Sequence, residues 1–249
     1  MAELMRQGPG FKVTADEWTL LHHACNGDHR SAVIPLLLAH PDIDVNVKSF
    51  VGQTSFYLAC GGRSSCVREM LKDSRVRVNR PNGNGRTPLW CAASRGHLDI
   101  IKWWIASGRE MDLGRPGDVD KTDAIGAARN WGRTEVLTLL ERFKENPDET
   151  RQAVRVELGW YDLAAAKMFA LVVFVSDGLL QIKDTTITTP AARYFSIAAQ
   201  LPLELQMVLC HRQVGSAKEI IPGKDSEAAF KELAEILLWS SFFTRSPPP

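Results

Sequence analysis

Histidine and cysteine lie close together in two places in this chain, and their chemistry is the first thing to test. His22, His23 and Cys25 place three metal-ligating side chains within four residues. A closed zinc site needs a further ligand pair at matching spacing, and none follows. Cys210-His211 sets a nucleophile beside a base, but a nucleophilic site also needs a third group to orient that base. No such group is marked nearby. Asn82-Gly83-Asn84-Gly85 is glycine-rich, yet the Lys-Ser/Thr that would complete a phosphate-binding loop is missing. It reads as a hairpin turn. Seven basic residues between Arg63 and Arg86 (Arg63, Arg68, Lys72, Arg75, Arg77, Arg80, Arg86) face only Glu69 and Asp73. Arginines grip carboxylate or phosphate bidentately, which would suit an acidic or phosphorylated partner. The run crosses a helix and a hairpin, however, and need not converge, so a solvated face is its plainer reading. No catalytic residue, metal ligand or cofactor is expected.

The elements that position these residues repeat. Thr87-Pro88-Leu89-Trp90-Cys91-Ala92-Ala93-Ser94-Arg95-Gly96-His97-Leu98-Asp99-Ile100-Ile101 has two upstream echoes, beginning Thr19-Leu20-Leu21-His22-His23-Ala24-Cys25 and Thr54-Ser55-Phe56-Tyr57-Leu58-Ala59-Cys60. A fourth, degenerate copy runs from Thr122 or Asp123 through Ala127-Ala128 and Trp131-Gly132 to Leu139-Leu140, and the spacing to Gly132 favours Asp123 as its first residue. The pattern predicts paired helices. A Thr or Asp side chain caps the first helix, and Pro88 fits the position whose N–H has no partner. Ala/Cys pairs keep that helix thin, while Gly27, Gly62, Gly96 and Gly132 are expected to end it in left-handed geometry. Gly27 and Gly62 come one residue early, which suggests a deletion in the turn between the helices. The second helices are more apolar (Val33, Ile34, Leu36, Leu37; Val67, Met70, Leu71; Ile100, Ile101, Trp103, Trp104). Hairpin loops carrying Gly52 and Gly85 follow. No unit of this kind buries its apolar face alone, so stacking is obligatory.

This unit resembles the ankyrin repeat, which the third copy matches almost position for position. The resemblance spans roughly Trp18 to Phe143. It implies an all-α fold: an ankyrin-repeat solenoid of about four repeats over residues 18–145, preceded by an N-terminal segment, 1–17. In this frame His22 is the histidine of the family's tetrapeptide, whose implied role is a hydrogen bond across the loop. The resemblance also implies a non-enzymatic module that binds a protein partner through a concave face of hairpin tips and first helices. Residue by residue it nominates Asp16 and Trp18; Phe50, Val51, Gln53 and Arg63; Asn84, Arg86, Ser94 and Arg95; and Asp118, Val119, Lys121, Asn130 and Trp131. Phe50 and Val51 stand where the consensus is polar, so either a partner covers them or they pack beneath an adjacent hairpin. Trp131 is of a type enriched in binding hot spots, or else contacts the C-terminal region.

Bulk properties set the outer bounds. Residues 1–150 carry 20 basic and 19 acidic side chains, and residues 151–249 carry 10 of each. Neither half has the positive excess of a nucleic-acid or membrane-surface binder. Five cysteines without a C-x-x-C pair read as buried thiols in a reducing compartment. No secretory h-region opens the chain, and Lys167 and Asp177 interrupt its most apolar stretch, Leu163 to Ile182. A cytoplasmic or nuclear monomer is expected.

After Glu145-Asn146-Pro147 a helical domain is expected over residues 146–245, with a loose tail at 246–249. One or two helices should span Ala153 to Ile182, Thr189 should cap a helix begun by Pro190, and Pro202 should start another. Ser226 should cap the last. Leu201-Pro202-Leu203-Glu204-Leu205 faintly resembles the opening of an F-box, which would make the chain a ubiquitin-ligase substrate adaptor. Against this, Gly215 and Gly223 interrupt the helices an F-box would still need.

Overall fold

A computed structural model describes residues 17–40, 42–114, 122–181 and 189–243, with side chains as far as Leu237. Every described element is helical. The chain divides into two compact units, Met1–Val154 and Arg155–Pro249.

In the first unit one local event recurs four times. Thr19, Thr54 and Thr87 sit in extended backbone, and their hydroxyls accept from the N–H three residues on, at His22 (3.4 Å), Tyr57 (3.2 Å) and Trp90 (3.1 Å). Asp123 does the same with its carboxylate, accepting from Gly126 at 2.6 Å, so Asp123 rather than Thr122 is the cap. Each cap satisfies a donor that the helix itself leaves unpaired. The first helices that follow are α1 (Leu20–Cys25), α3 (Ser55–Ala59), α5 (Pro88–Arg95) and α7 (Ala124–Asn130). Their partners are α2 (Ile34–Leu38), α4 (Ser64–Lys72), α6 (Leu98–Ser107) and α8 (Thr134–Glu145).

First helices pack on first helices, α1 on α3, α3 on α5 and α5 on α7. The small residues permit this: Ala24, Cys25, Ala59, Cys60, Cys91, Ala92, Ala127 and Ala128 are all buried at those contacts. The second helices supply bulk. Ile100, Ile101, Trp104 and Ile105 of α6 are sealed from solvent, and Trp104 meets the edge of Phe56 at 5.1 Å between ring centroids.

Three local expectations need correction. Gly62, Gly96 and Gly132 have positive φ (121°, 81° and 64°), but Gly27 is extended at −152° and opens a 3-10 segment, Asp28–Val33. The early deletion shortens the first helix rather than the turn, since α1 and α3 have six and five residues against eight in α5. The sequence pattern places Val33 in the apolar second helix, yet it lies in the 3-10 segment and is exposed. The cause is Pro35. Proline is tolerated only in the first turn of an α-helix, so α2 cannot begin much before Ile34.

Across the division between units runs α9 (Pro147–Glu157), followed by a left-handed Gly159 (φ 62°). In the second unit α10 (Trp160–Ser176) is the central helix, burying Ala165, Ala166, Phe169, Ala170 and Val172. Around it pack α11 (Pro190–Ala198), α12 (Leu203–Gln213) and α13 (Gly223–Phe243). Thr189 caps α11 as expected, accepting from Ala192 N at 3.2 Å. Ser226 does not cap α13. That helix starts three residues earlier, and the Ser226 hydroxyl donates to Gly223 O inside its first turn. Among the described residues no single helix is long and apolar enough to cross a membrane.

Candidate functional site

The third helical residue after each cap is the natural place to start, because in three repeats it reaches the next one. His22 accepts at Nδ1 from Thr19 N–H (3.1 Å) and its hydroxyl (2.8 Å), which leaves the ring proton on Nε2 to donate to Gln53 O at 3.1 Å. Tyr57 stands in the equivalent position and its hydroxyl accepts from Asn82 Nδ2 at 3.1 Å. In the third repeat Trp90 Nε1 donates to Thr122 Oγ1 at 3.3 Å. Imidazole, phenol and indole thus make one structural link with different chemistry. Burial holds His22 below the ordinary histidine pKa and pushes the Tyr57 hydroxyl up. Both nitrogens of His22 are engaged inside the fold, and among the described residues no group of three His, Cys, Asp or Glu side chains could hold a metal ion.

These links stack the hairpin loops edge to edge. The first hairpin closes through Ser49 N to Gln53 O (2.9 Å), the second through Asn82 N to Arg86 O (3.0 Å), and Gly83 N donates across to Val51 O at 3.1 Å. Gly52 (φ 75°) is required there twice over, since a Cβ would lie 2.5 Å from Gly83 N. Only backbone fits between the tips. Phe50 and Val51 therefore project outward, 80% and 56% exposed, instead of packing beneath the neighbouring hairpin.

A second set of links runs back from each repeat to the one before. Arg63 Nε donates to Asn26 O (3.2 Å), a terminal nitrogen of Arg95 to Gly61 O (3.2 Å), and Arg133 Nε to Ser94 O (3.3 Å). The basic run disperses for this reason. Arg68 covers the Trp103 ring at 4.2 Å, Lys72 pairs with Glu69, Arg75 with Asp73, and Arg80 donates to Asn46 O. Most of the run stitches repeats together and does not form one patch.

Beside the first helices of repeats three and four lies a cleft of about 540 Å³. Of the nominated residues it gathers Arg86, Ser94, Arg95 and Trp131. Arg86 lies over the Trp90 ring at 4.5 Å, and Trp131 is 62% exposed. Ser94 is buried, its hydroxyl donating to Cys91 O, so it forms wall rather than handle. Asn84 and Asn130 are exposed close by in sequence, Asn84 at the second hairpin tip with its N–H on Asn82 Oδ1. Other nominations serve the fold. Gln53 contributes its backbone carbonyl to His22, and Arg63 spans two repeats. Trp18 packs on His22 and His23, with ring centroids 6.2 and 5.1 Å apart. Asp16, Asp118, Val119 and Lys121 lie outside the described residues.

The cleft also contains Trp90, His97 and Arg133, to which the sequence reading did not point. A signal existed for Arg133. It follows Gly132 as Arg63 follows Gly62, and the repeat resemblance points to Arg63. Burial lowers the pKa of His97.

The thiols are equally quiet. All five cysteines are free and buried, and burial raises Cys25, Cys60, Cys91 and Cys210, with Cys66 pushed up to about 11. Cys210 and His211 do not form a pair. The sulfur contacts Tyr194 Oη at 3.6 Å, and the His211 ring bonds Ile220 O at 3.0 Å.

Comparison with known proteins agrees with the repeat architecture. A family model described as ankyrin repeat matches residues 16–50, and one described as ankyrin repeats in many copies matches residues 56–105. SMC5-SMC6 complex localization factor protein 1, from both Bos taurus and Homo sapiens, is 38% identical over 91 residues, which is 36% of this chain and 8% of those proteins. Ankyrin repeat and SAM domain-containing protein 6 of Mus musculus is 31% identical over 85 residues, 34% of this chain and 9% of that protein. The chain therefore spans under a tenth of the length of these relatives.

Proposed function

We propose that the ankyrin repeats in the first unit of this chain dock a protein partner on the face made by their hairpin tips and first helices. One observation carries this reading. Phe50, Val51 and Trp131 are large apolar side chains left exposed on repeats whose other bulky apolar residues are mostly buried. Such exposure is unfavourable in isolation and is relieved when a partner covers the face. Ankyrin repeats imply a protein–protein interaction module, and non-enzymatic docking suits the geometry, because His22 and His211 are committed to internal bonds and the five thiols are buried. The balanced charge of both halves disfavours nucleic acid and membrane surfaces as ligands. Five free, buried thiols fit a chain working in a reducing compartment such as the cytoplasm or nucleus.

Proximity labelling with the wild-type chain beside a Phe50→Ala/Trp131→Ala variant tests the reading. Both side chains are exposed, so the variant should fold and lose a defined set of neighbours. Identical neighbour lists would remove the docking face.

A second reading draws on the second unit, where Leu203 and Leu205 of α12 are about half exposed. It makes the chain an adaptor whose C-terminal helices recruit effector machinery such as a ubiquitin ligase. Leu203→Asp/Leu205→Asp should then lose ligase components in a pull-down and keep the partner bound by the repeats. Ligase components absent from the wild-type pull-down would dismiss it.

A further inference from the structure

Charge is distributed unevenly on the proposed docking face, and the unevenness indicates what it holds. Arg86, Arg95 and Arg133 all line the cleft beside Trp131, and its described lining includes no carboxylate. Some arginines of the first unit are neutralised by acids, Arg75 by Asp73 at 2.7 Å and Arg129 by Glu141 at 2.9 Å. Arg95 and Arg133 belong instead with Arg63, Arg80 and Arg109, which bond to main-chain carbonyls. Arg95 is held by Gly61 O and Arg133 by Ser94 O, which orients each guanidinium without cancelling its charge. A guanidinium carries five N–H donors, so one carbonyl bond leaves several for a second acceptor. Two indoles complete the surface, Trp90 half-buried beneath Arg86 and Trp131 open to solvent.

We infer that this cleft binds an extended acidic segment of a partner protein, with aspartate or glutamate carboxylates on Arg95 and Arg133 and an apolar side chain against Trp90 and Trp131. The inference rests on the docking-face reading and adds the chemistry of the ligand. The spacing of the anchors favours a row of carboxylates over a single phosphate. Gly61 and Ser94 belong to different repeats, so positive charge is spread along the cleft and not gathered at one point. Nucleic acid fits less well. With 20 basic against 19 acidic residues in the first 150, the positive character does not continue as a track for a phosphate backbone.

Fluorescence anisotropy with the full chain tests this, using labelled synthetic peptides that alternate Glu with Leu, their Lys-for-Glu counterparts, and oligodeoxythymidine of the same length. The acidic peptide should bind and weaken with added salt, and the basic peptide should not bind. Trp131→Ala and Arg95→Gln should each weaken binding about tenfold, whereas Arg142→Gln on α8, which removes an equal charge elsewhere on the unit, should not. Arg95 also holds two repeats together, so Trp131→Ala decides the matter if Arg95→Gln melts early. Failure of the acidic peptide to bind, equal binding of oligodeoxythymidine, or indifference to Trp131→Ala would each overturn the inference. If the proximity neighbours still vanish from Phe50→Ala/Trp131→Ala, the docking face stands and only its acidic ligand falls.

Discussion

His22 shows how one buried side chain makes the fold sensitive to pH. The ring is neutral in the folded chain, accepting at Nδ1 and donating from Nε2, and burial holds its pKa below the ordinary value of 6.5. The unfolded chain regains a histidine near 6.5, so it binds the extra proton first as the medium turns acid. The stability tied to His22 is therefore complete above pH 6.5 and is lost as pH falls from there towards the lowered native value. His97 acts in the same direction. Thermal melts at about pH 7.5 and pH 5 should show a marked drop in the wild type and a smaller one in His22→Gln, whose amide does not titrate in this range. An equal drop in both would move the sensitivity elsewhere. The existence of this bond was legible in the sequence, because the tetrapeptide resemblance names the histidine. Its acceptor was not. Gln53 reads as a surface residue on a hairpin, and only the stacked loops show that its carbonyl is the receiving group.

Between helices, a few residues decide whether repeats can stack. Gly52 and Gly85 occupy matching hairpin positions with φ of 75° and 76°, but among the described residues only Gly52 has backbone against it. Gly85→Ala should cost about 1 kcal/mol of backbone strain. Gly52→Ala must in addition push the two hairpins apart, and should cost about 3 kcal/mol or more. Urea midpoints that coincide would contradict the contact. Arg109 is a comparable staple, donating to Asp73 O at 2.8 Å and Val76 O at 2.6 Å. Arg109→Ala should lose about 2 kcal/mol, and Arg109→Lys should recover less than half of it, since an ammonium cannot fork across both carbonyls. Full recovery with lysine would mean that charge, not fork geometry, matters. Such staples were not visible in the sequence, where Arg75, Arg80 and Arg109 look like solvated charge. What turns them inward is the shortage of partners for loop carbonyls, and that shortage exists only once repeats are stacked. The helices themselves were legible, because Thr caps, Ala/Cys pairs and terminal glycines are local signals. Gly27 departs from the pattern because Pro35 delays α2 and a 3-10 segment fills the gap.

Taken whole, the chain joins a unit whose sequence repeats to one whose sequence does not. In the first, each copy corroborates the others, so even the degenerate fourth repeat could be placed from Asp123, Ala127-Ala128 and Gly132. In the second, α10 is apolar on nearly every side, so periodicity marks it as buried without saying which helix covers which face. The candidate site was legible in part. Phe50, Val51 and Trp131 stand out in the sequence as apolar residues in unusual places, whereas Trp90, His97 and Arg133 join Trp131 in the cleft only through packing of the third repeat on the fourth. On the docking reading one face of the repeats, and not its reverse, meets another protein. A photo-crosslinking amino acid placed singly at Phe50, at Asn130 and at Arg142, an exposed position on α8, measures this directly in cells. Phe50 and Asn130 should yield adducts with the same protein and Arg142 none; adducts from Arg142 alone would overturn the reading.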